Sequence, residues 1–217
     1  MVDSVLILGA GRFGRHAAIK FLKMGKEVLI VDNSEEMINN ILPDVPNAQI
    51  GDATREDVLK SLGVDQFDLC VVAIGSHFGA SLETTLLLKE FGAKYVIAKA
   101  TRDIHSKFLL RSGADQVVYP EKQAAERIAM RFSGEHILDY IELNSELSII
   151  EVPILKEWVG KTIQEINVRK NFNLNILATK LGENVSPVTS PDHVLSAGEN
   201  LFVFGATESV MRFLKKV

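Results

Sequence analysis

The 217-residue chain has a single cysteine, a single tryptophan and only three tyrosines. One cysteine excludes an internal disulfide and any cysteine-rich zinc site. Cys70 lies in the apolar run Asp68-Leu69-Cys70-Val71-Val72-Ala73 and reads as a core residue. Long hydrophobic runs are missing as well. Stretches such as Val5 to Ala10 and Leu69 to Ile74 fall far short of the ~20 residues that a membrane helix needs. The N-terminus carries neither a basic region nor a small-residue cleavage signal, so no secretory peptide is expected. An excess of positive charge is also absent. Twenty-four Lys and Arg oppose 28 Asp and Glu, for a net charge of -4, which speaks against a generally basic nucleic-acid surface. There is no low-complexity segment and no convincing internal repeat. What remains is 47% hydrophobic and 24% charged, an ordinary globular balance. The length suggests one or two domains, and the expectation at this point is a soluble cytoplasmic protein.

Over the first 120 residues two textures alternate. Short β-rich runs at Val5–Leu8, Glu27–Val31, Ala48–Ile50, Leu69–Ala73, Tyr95–Ala98 and Gln116–Tyr119 are separated by segments of helical spacing. These segments are Phe13–Met24, Ser34–Leu42, Arg55–Leu62, Leu82–Phe91 and Arg102–Ser112. Near-continuous apolar strands alternating with helices predict a parallel sheet covered on both faces. Gly25, Gly63, Gly92 and Gly113 punctuate the helix ends. The expected fold is α/β, with a doubly wound parallel six-stranded Rossmann-like sheet over residues 1–120.

Beyond Tyr119 the alternation stops. Glu121–Phe132 reads as an amphipathic helix and Glu135–Tyr140 as a second short one, so residues 121–141 are set apart as a helical segment. Residues 142–217 read as a small α+β C-terminal domain. Its expected elements are a strand at Ile149–Val152, a short helix at Thr162–Val168, a hairpin of Asn175–Lys180 and Val185–Val188, a strand at Leu201–Phe204 and a closing helix at Glu208–Lys215. A domain of about 75 residues is marginal alone, so docking or dimerisation is expected.

The strongest motif is Gly9-Ala10-Gly11-Arg12-Phe13-Gly14, which follows a strand and opens a helix. It matches G-x-G-x-x-G in the context the motif requires. Gly9 permits the tight turn, Gly11 lets backbone approach a phosphate, and Gly14 lets the helix pack on the strand. The free N–H groups of the helix start then face an anion. Asp32 ends the second strand, 21 residues after Gly11, where an acid accepts hydrogen bonds from ribose hydroxyls and repels a 2′-phosphate. Asn33 follows it. Arg12 sits in the loop beside the phosphate position, where a guanidinium reaches a terminal phosphate or a pyrophosphate.

Further contacts are expected from the carboxyl ends of the other strands. Asp52 or the Ala53-Thr54 backbone follows the third strand and faces the base. Ala73, Ile74 and Gly75 follow the fourth, where small residues leave room for a nucleotide. Lys99 ends the fifth strand and Glu121 follows the sixth. Catalytic signals are thin. The five histidines, His16, His77, His105, His136 and His193, show no metal-ligand spacing, and Ser76 is not in a G-x-S-x-G elbow. His77 reads as a loop or helix-start residue. The balance is towards binding rather than catalysis.

The ordered set Gly9-Ala10-Gly11-Arg12-Phe13-Gly14, Val31-Asp32, Gly51-Asp52-Ala53-Thr54, Val72-Ala73-Ile74-Gly75, Gly113-Ala114-Asp115 and Pro120-Glu121-Lys122 resembles the regulator-of-potassium-conductance (RCK) family. Within it, the chain is similar to the soluble gating subunits of Ktr/Trk-type potassium transporters, with a TrkA-N and a TrkA-C domain. The resemblance implies that residues 121–141 are a helical crossover and dimerisation segment, and that homodimers assemble into a ring, commonly an octamer, that binds ATP and ADP or NAD and NADH. It implies that nucleotide exchange reshapes the ring and so gates a membrane potassium transporter subunit from the inner face of the membrane. It assigns Arg12 to the terminal phosphate, Lys99 to the matching strand end, and Glu121 to a divalent cation, Mg²⁺ or Ca²⁺, near the phosphates. It also implies a second ligand, cyclic di-AMP, bound by some members in the C-terminal domain, with Ile163, Ile166, Asn167, Arg169, Asn175 and Pro191 in or near the matching stretches. Gln164-Glu165 departs from the pattern expected there.

Two other classes stay in view. An NAD-dependent oxidoreductase with a minimal substrate domain would show turnover. A redox-sensing DNA-binding protein would need a basic recognition helix, and no clear one flanks the nucleotide domain.

Overall fold

The computed structural model describes residues 2–75, 77–132, 138–144, 146–188 and 190–214. The chain divides into two compact units, Met1–Glu121 and Lys122–Val217. Among the described residues, the first unit runs β1 (Ser4–Leu8), α1 (Arg12–Lys23), β2 (Glu27–Asp32), α2 (Glu35–Ile41), β3 (Ala48–Ile50) and α3 (Glu56–Leu62), then β4 (Leu69–Val72), α4 (Phe78–Glu90), β5 (Val96–Lys99), α5 (Asp103–Arg111) and β6 (Gln116–Val118). The strands form one parallel sheet in the order β3-β2-β1-β4-β5-β6. This is the Rossmann-like sheet that the alternation of textures predicts.

The reason lies in burial. Val5, Leu6, Ile7 and Leu8 are each 0% exposed, because β1 is central and helices cover both faces. Side chains alternate across the sheet. Leu6, Leu8, Cys70 and Val72 join one core cluster, while Val5, Ile7, Leu69 and Val71 join the other. Cys70 is fully buried, and burial pushes its thiol up to about 12. The helix α4 starts four residues before the predicted Leu82, at Phe78.

The second unit holds most of α6 (Pro120–Phe132), then β7 (Asp139–Glu142), β8 (Leu147–Pro153), α7 (Ile163–Ile166), α8 (Val168–Phe172), β9 (Leu174–Leu181), β10 (Asn184–Pro187), β11 (Glu199–Ala206) and α9 (Thr207–Leu214). Its antiparallel sheet has the order β10-β9-β11-β8-β7. Ile150, Val152, Leu201 and Val203 from the sheet pack with Trp158, Val168, Val210 and Phe213.

Two expectations need correction. Asp139 and Tyr140 do not belong to a helix. They lie in β7, where Tyr140 pairs with Ile150 and is buried while Ile141 is exposed, a period of two rather than 3.6. Leu138 precedes the strand and donates its N–H to the carbonyl of Glu151 at 2.9 Å, and the start of the predicted helix, residues 135–137, falls outside the described residues. The predicted helix Thr162–Val168 is two helices. Thr162 and Glu165 form a reciprocal capping box that starts α7, but Asn167 adopts φ 45°, a left-handed conformation that ends it and restarts the chain as α8.

Candidate functional site

Because every strand of the first unit is parallel, all their carboxyl ends reach the same edge of the sheet. The strand order reverses between the neighbours β1 and β4, the position at which open α/β sheets hold ligands. The loops after both strands meet there. The N–H of Gly9 donates to the carbonyl of Val31 at 2.7 Å, and Gly9 has φ +110°. A Cβ at Gly9 would lie 3.0 Å from the carbonyl carbon of Ala73. At Gly14 a Cβ would collide with the carbonyl oxygen of Gly9. Gly11 is different, since a Cβ there would meet no protein atom within 4 Å. The fold therefore demands Gly9 and Gly14, while the space beside Gly11 is open. Gly11 is also the N-cap of α1, which has no side-chain cap and no acid in its first turn. Its first N–H groups have no acceptor within the helix and suit an anion.

Asp32, at the end of β2, borders this loop. One carboxylate oxygen accepts the N–H of Ala10 at 2.7 Å and the other the N–H of Ser34 at 2.9 Å. The acid thus fixes the loop and retains lone pairs for a hydroxyl. Asn33 beside it is exposed. After β3, Asp52 turns inward on its own loop. It accepts the N–H of Thr54 at 3.0 Å and its hydroxyl at 2.8 Å, and these bonds hold its carboxyl below the usual range. Ala53 is buried, and its carbonyl accepts the Thr84 hydroxyl. Asp52 thereby shapes the turn that follows β3. After β4, Ala73 is buried, and Ile74 and Gly75 are partly so.

Lys99, at the end of β5, closes the other flank. Its ammonium lies 2.7 Å from Oε1 of Glu121, 5.9 Å from the Phe13 ring centroid and 3.6 Å from where a Cβ of Gly75 would be. Its hydrogen bond to Glu121, joined by the more distant charge of Arg12, holds the Glu121 carboxyl below its usual range. Arg12 itself is exposed. The predicted residues after β1, β2, β4, β5 and β6 thus gather along one edge. Sequence reasoning missed Thr101, whose methyl packs 3.6 Å from that same Gly75 position and whose N–H and hydroxyl meet Nδ1 of the buried His105.

Glu121 does not fit a cation site by itself. It provides one carboxylate, already paired with an ammonium, and no group of three or more His, Cys, Asp or Glu suited to a metal occurs among the described residues. The described histidines are dispersed: His16 is exposed on α1, His77 precedes α4, His105 is buried, and His193 meets Glu199 at 2.9 Å. His136 and Ser76 lie outside the described residues. No described helix is long and apolar enough to cross a membrane.

The second unit holds an open cavity of about 380 Å³, within the range of small-molecule sites. Ile163, Asn167, Arg169, Asn175 and Pro191 line it. Ile166 does not. At 6% exposure it belongs to the core of the unit, against which the cavity-lining Ile163 also packs. Gln164 and Ser190 take part in the lining and carry no motif signal of their own.

The TrkA-N domain family model matches residues 5–120, and the TrkA-C domain model matches residues 147–217. The chain is 37% identical over 217 residues to the Ktr system potassium uptake protein C of Bacillus subtilis (strain 168), covering 100% of this chain and 98% of that protein. Its fold is similar to the structure described as the GsuK channel bound to NAD, with TM-score 0.67 and 20% identity over 99% of this chain and 39% of that one. The Kef CTD of Shewanella denitrificans in AMP-bound form is 29% identical, with TM-score 0.50, over 57% of this chain and 75% of that one.

Proposed function

The chain belongs to the family of TrkA-N and TrkA-C domain proteins, the regulators of potassium conductance, and on that premise we propose that it is a nucleotide-binding subunit that gates a membrane potassium transporter. The observation that carries the reading is the loop at β1. Gly9 and Gly14 are required by the fold, whereas Gly11 borders open space at an uncapped helix start beside Asp32. That combination suits a phosphate on the N–H groups and a ribose on the acid. The AMP-bound and NAD-bound structures with the same fold support an adenine nucleotide as ligand.

In this reading the Gly9–Gly14 loop, with Arg12 and Phe13, takes the phosphates of ATP or ADP, or the pyrophosphate of NAD or NADH. Asp32 and Asn33 take the ribose. Ala53, Thr54, Ala73, Ile74 and Gly75 border the base and sugar, and Lys99 flanks the phosphates. The subunit works at the cytoplasmic face of the membrane as a homodimer built into a ring, and ligands with different affinities for two ring states shift the ring between them. A divalent cation at Glu121 would need phosphate oxygens and ligands beyond this chain. In the second unit, Arg169 and Asn175 line a cavity suited to the phosphate and base of cyclic di-AMP.

Calorimetric titration of the nucleotide-stripped protein with ATP, ADP, NAD⁺ and NADH tests the proposal. Saturable binding of an adenine nucleotide, with a change in assembly size or shape by small-angle scattering and no turnover, is expected. Folded protein that binds none of them overturns it. Oxidation of NADH with an added carbonyl substrate would favour an oxidoreductase instead.

A further inference from the structure

Lys99 is an enclosed cation and Glu121 an open anion. Their side chains are 14% and 60% exposed, respectively. Three elements surround the ammonium: the Phe13 ring from the phosphate loop, the Gly75 backbone after β4, and Glu121 at the start of α6. An ammonium with so little water needs an anion, because the desolvation cost of a lone charge exceeds that of a paired one. Glu121 is the anion that its own chain supplies, at 2.7 Å. Arg12, the exposed cation of the phosphate loop, also acts on that carboxylate. The carboxylate therefore meets the Lys99 ammonium in direct contact and the charge of Arg12 through space, at the carboxyl-end edge of the sheet.

We infer that Glu121 is a built-in stand-in for nucleotide phosphate, neutralising Lys99 through their ion pair and exchanged for phosphate oxygens when a nucleotide binds. The inference rests on the nucleotide reading above and adds an internal competitor to it. Two consequences follow from charge alone. The competitor weakens ligands in proportion to their phosphate charge, so it discriminates nucleotide from nucleoside. Binding also frees the first turn of α6, which is the segment that leads the chain from the first unit into the second. A change at the phosphates thereby reaches the connecting helix through one ion pair.

The test is a double-mutant cycle of Glu121→Gln and Lys99→Met, read by calorimetry with ADP and with adenosine in buffer containing EDTA. Removing the competitor with Glu121→Gln is expected to tighten ADP binding by about 3- to 10-fold, because a larger fraction of the protein is then competent to bind. Adenosine affinity is expected to stay unchanged. In the Lys99→Met background the Glu121→Gln gain is expected to vanish, since the two residues act as one unit. Unchanged or weakened ADP binding by Glu121→Gln in EDTA would overturn the inference while leaving the nucleotide reading intact. Equal tightening of ADP and adenosine would overturn it as well. Wild-type protein that binds neither ligand would overturn both. Glu121 is exposed, so its variant keeps the fold, and circular dichroism checks Lys99→Met.

Discussion

The carbonyl oxygen of Gly9 occupies the space where a side chain on Gly14 would begin. Strand β1 and helix α1 approach closely enough at this point to exclude even a methyl group. Gly14→Ala must therefore displace backbone, and overpacking of this kind costs about 1–3 kcal/mol. Gly11→Ala meets no protein atom. Thermal unfolding and ADP titration should separate the two. Gly14→Ala is expected to lose several degrees of midpoint together with binding. Gly11→Ala is expected to keep the wild-type midpoint within about 2 °C and to lose ADP affinity at least ~10-fold. Normal binding by a stable Gly11→Ala protein would contradict the phosphate loop.

Asp32 holds the Ala10 N–H with one oxygen and the Ser34 N–H with the other. Asp32→Ala removes the ribose acceptor and the loop anchor together. Hydrogen bonds to a charged group contribute about 1.5–3 kcal/mol each. The variant should bind ATP, ADP and NADH at least ~10-fold more weakly, by a similar factor for all three. A loss confined to one nucleotide would show that Asp32 reads something other than the shared ribose.

Arg12 is exposed at the start of α1, in line with the expected phosphate position. Arg12→Ala is expected to weaken ATP more than ADP, by about 5-fold or more, if the guanidinium meets the terminal phosphate. Parallel titrations decide this, and equal losses for both nucleotides would remove that role.

The cavity of the second unit has Arg169 and Asn175 in its wall. Arg169→Ala should abolish cyclic di-AMP binding, a loss of at least ~10-fold, and leave ADP affinity unchanged. Wild-type protein that ignores cyclic di-AMP at millimolar concentration would leave the cavity to another function.

Acid stability should depend on Asp68. Its carboxylate accepts the N–H of Asp3 at 2.9 Å, the ammonium of Lys94 at 3.1 Å and the N–H of Ser4 at 3.2 Å, which holds it well below the usual carboxylate range. A depressed folded value means that the stabilisation is complete above the unfolded value near ~3.9 and is lost as pH falls towards the folded one. Unfolding midpoints measured from pH 6 to pH 2 should fall less steeply below pH ~4 for Asp68→Asn than for the wild type. Identical slopes would remove Asp68 from the acid response.

Cys70 is 0% exposed, and its thiol stands at about 12. Iodoacetamide at pH 8 should leave the native protein unmodified and label it stoichiometrically in denaturant, as mass spectrometry would show.

The nucleotide unit was legible because its signals are local. Central parallel strands are apolar on both faces, as in Val5–Leu8, and Gly14 answers to the carbonyl of Gly9 five residues earlier, while Gly11 stands at the turn into α1. The second unit was less so. Asp139–Glu142 is too short to reveal its alternation, and Asn167 divides a helix by a backbone conformation that its neighbours do not announce. The two bonds that Thr54 donates to Asp52, which shape the turn after β3, are made only by the folded loop.

Thus the amino-acid sequence alone determined the α/β order of elements, the phosphate loop, the acid at Asp32 and the family, because hydrophobic period and glycine placement act over short stretches. The tertiary structure decided the rest. Lys99 and Glu121 stand 22 positions apart, and they meet because β5 and β6 pair in parallel, with Lys99 opposite Val118, so that the chain leaving β6 turns back over the end of β5. Ile163 and Pro191 share a cavity wall because the Gln164 N–H bonds the Pro191 carbonyl. Such contacts follow from strand register and loop closure across the fold, and no local pattern of residues encodes them.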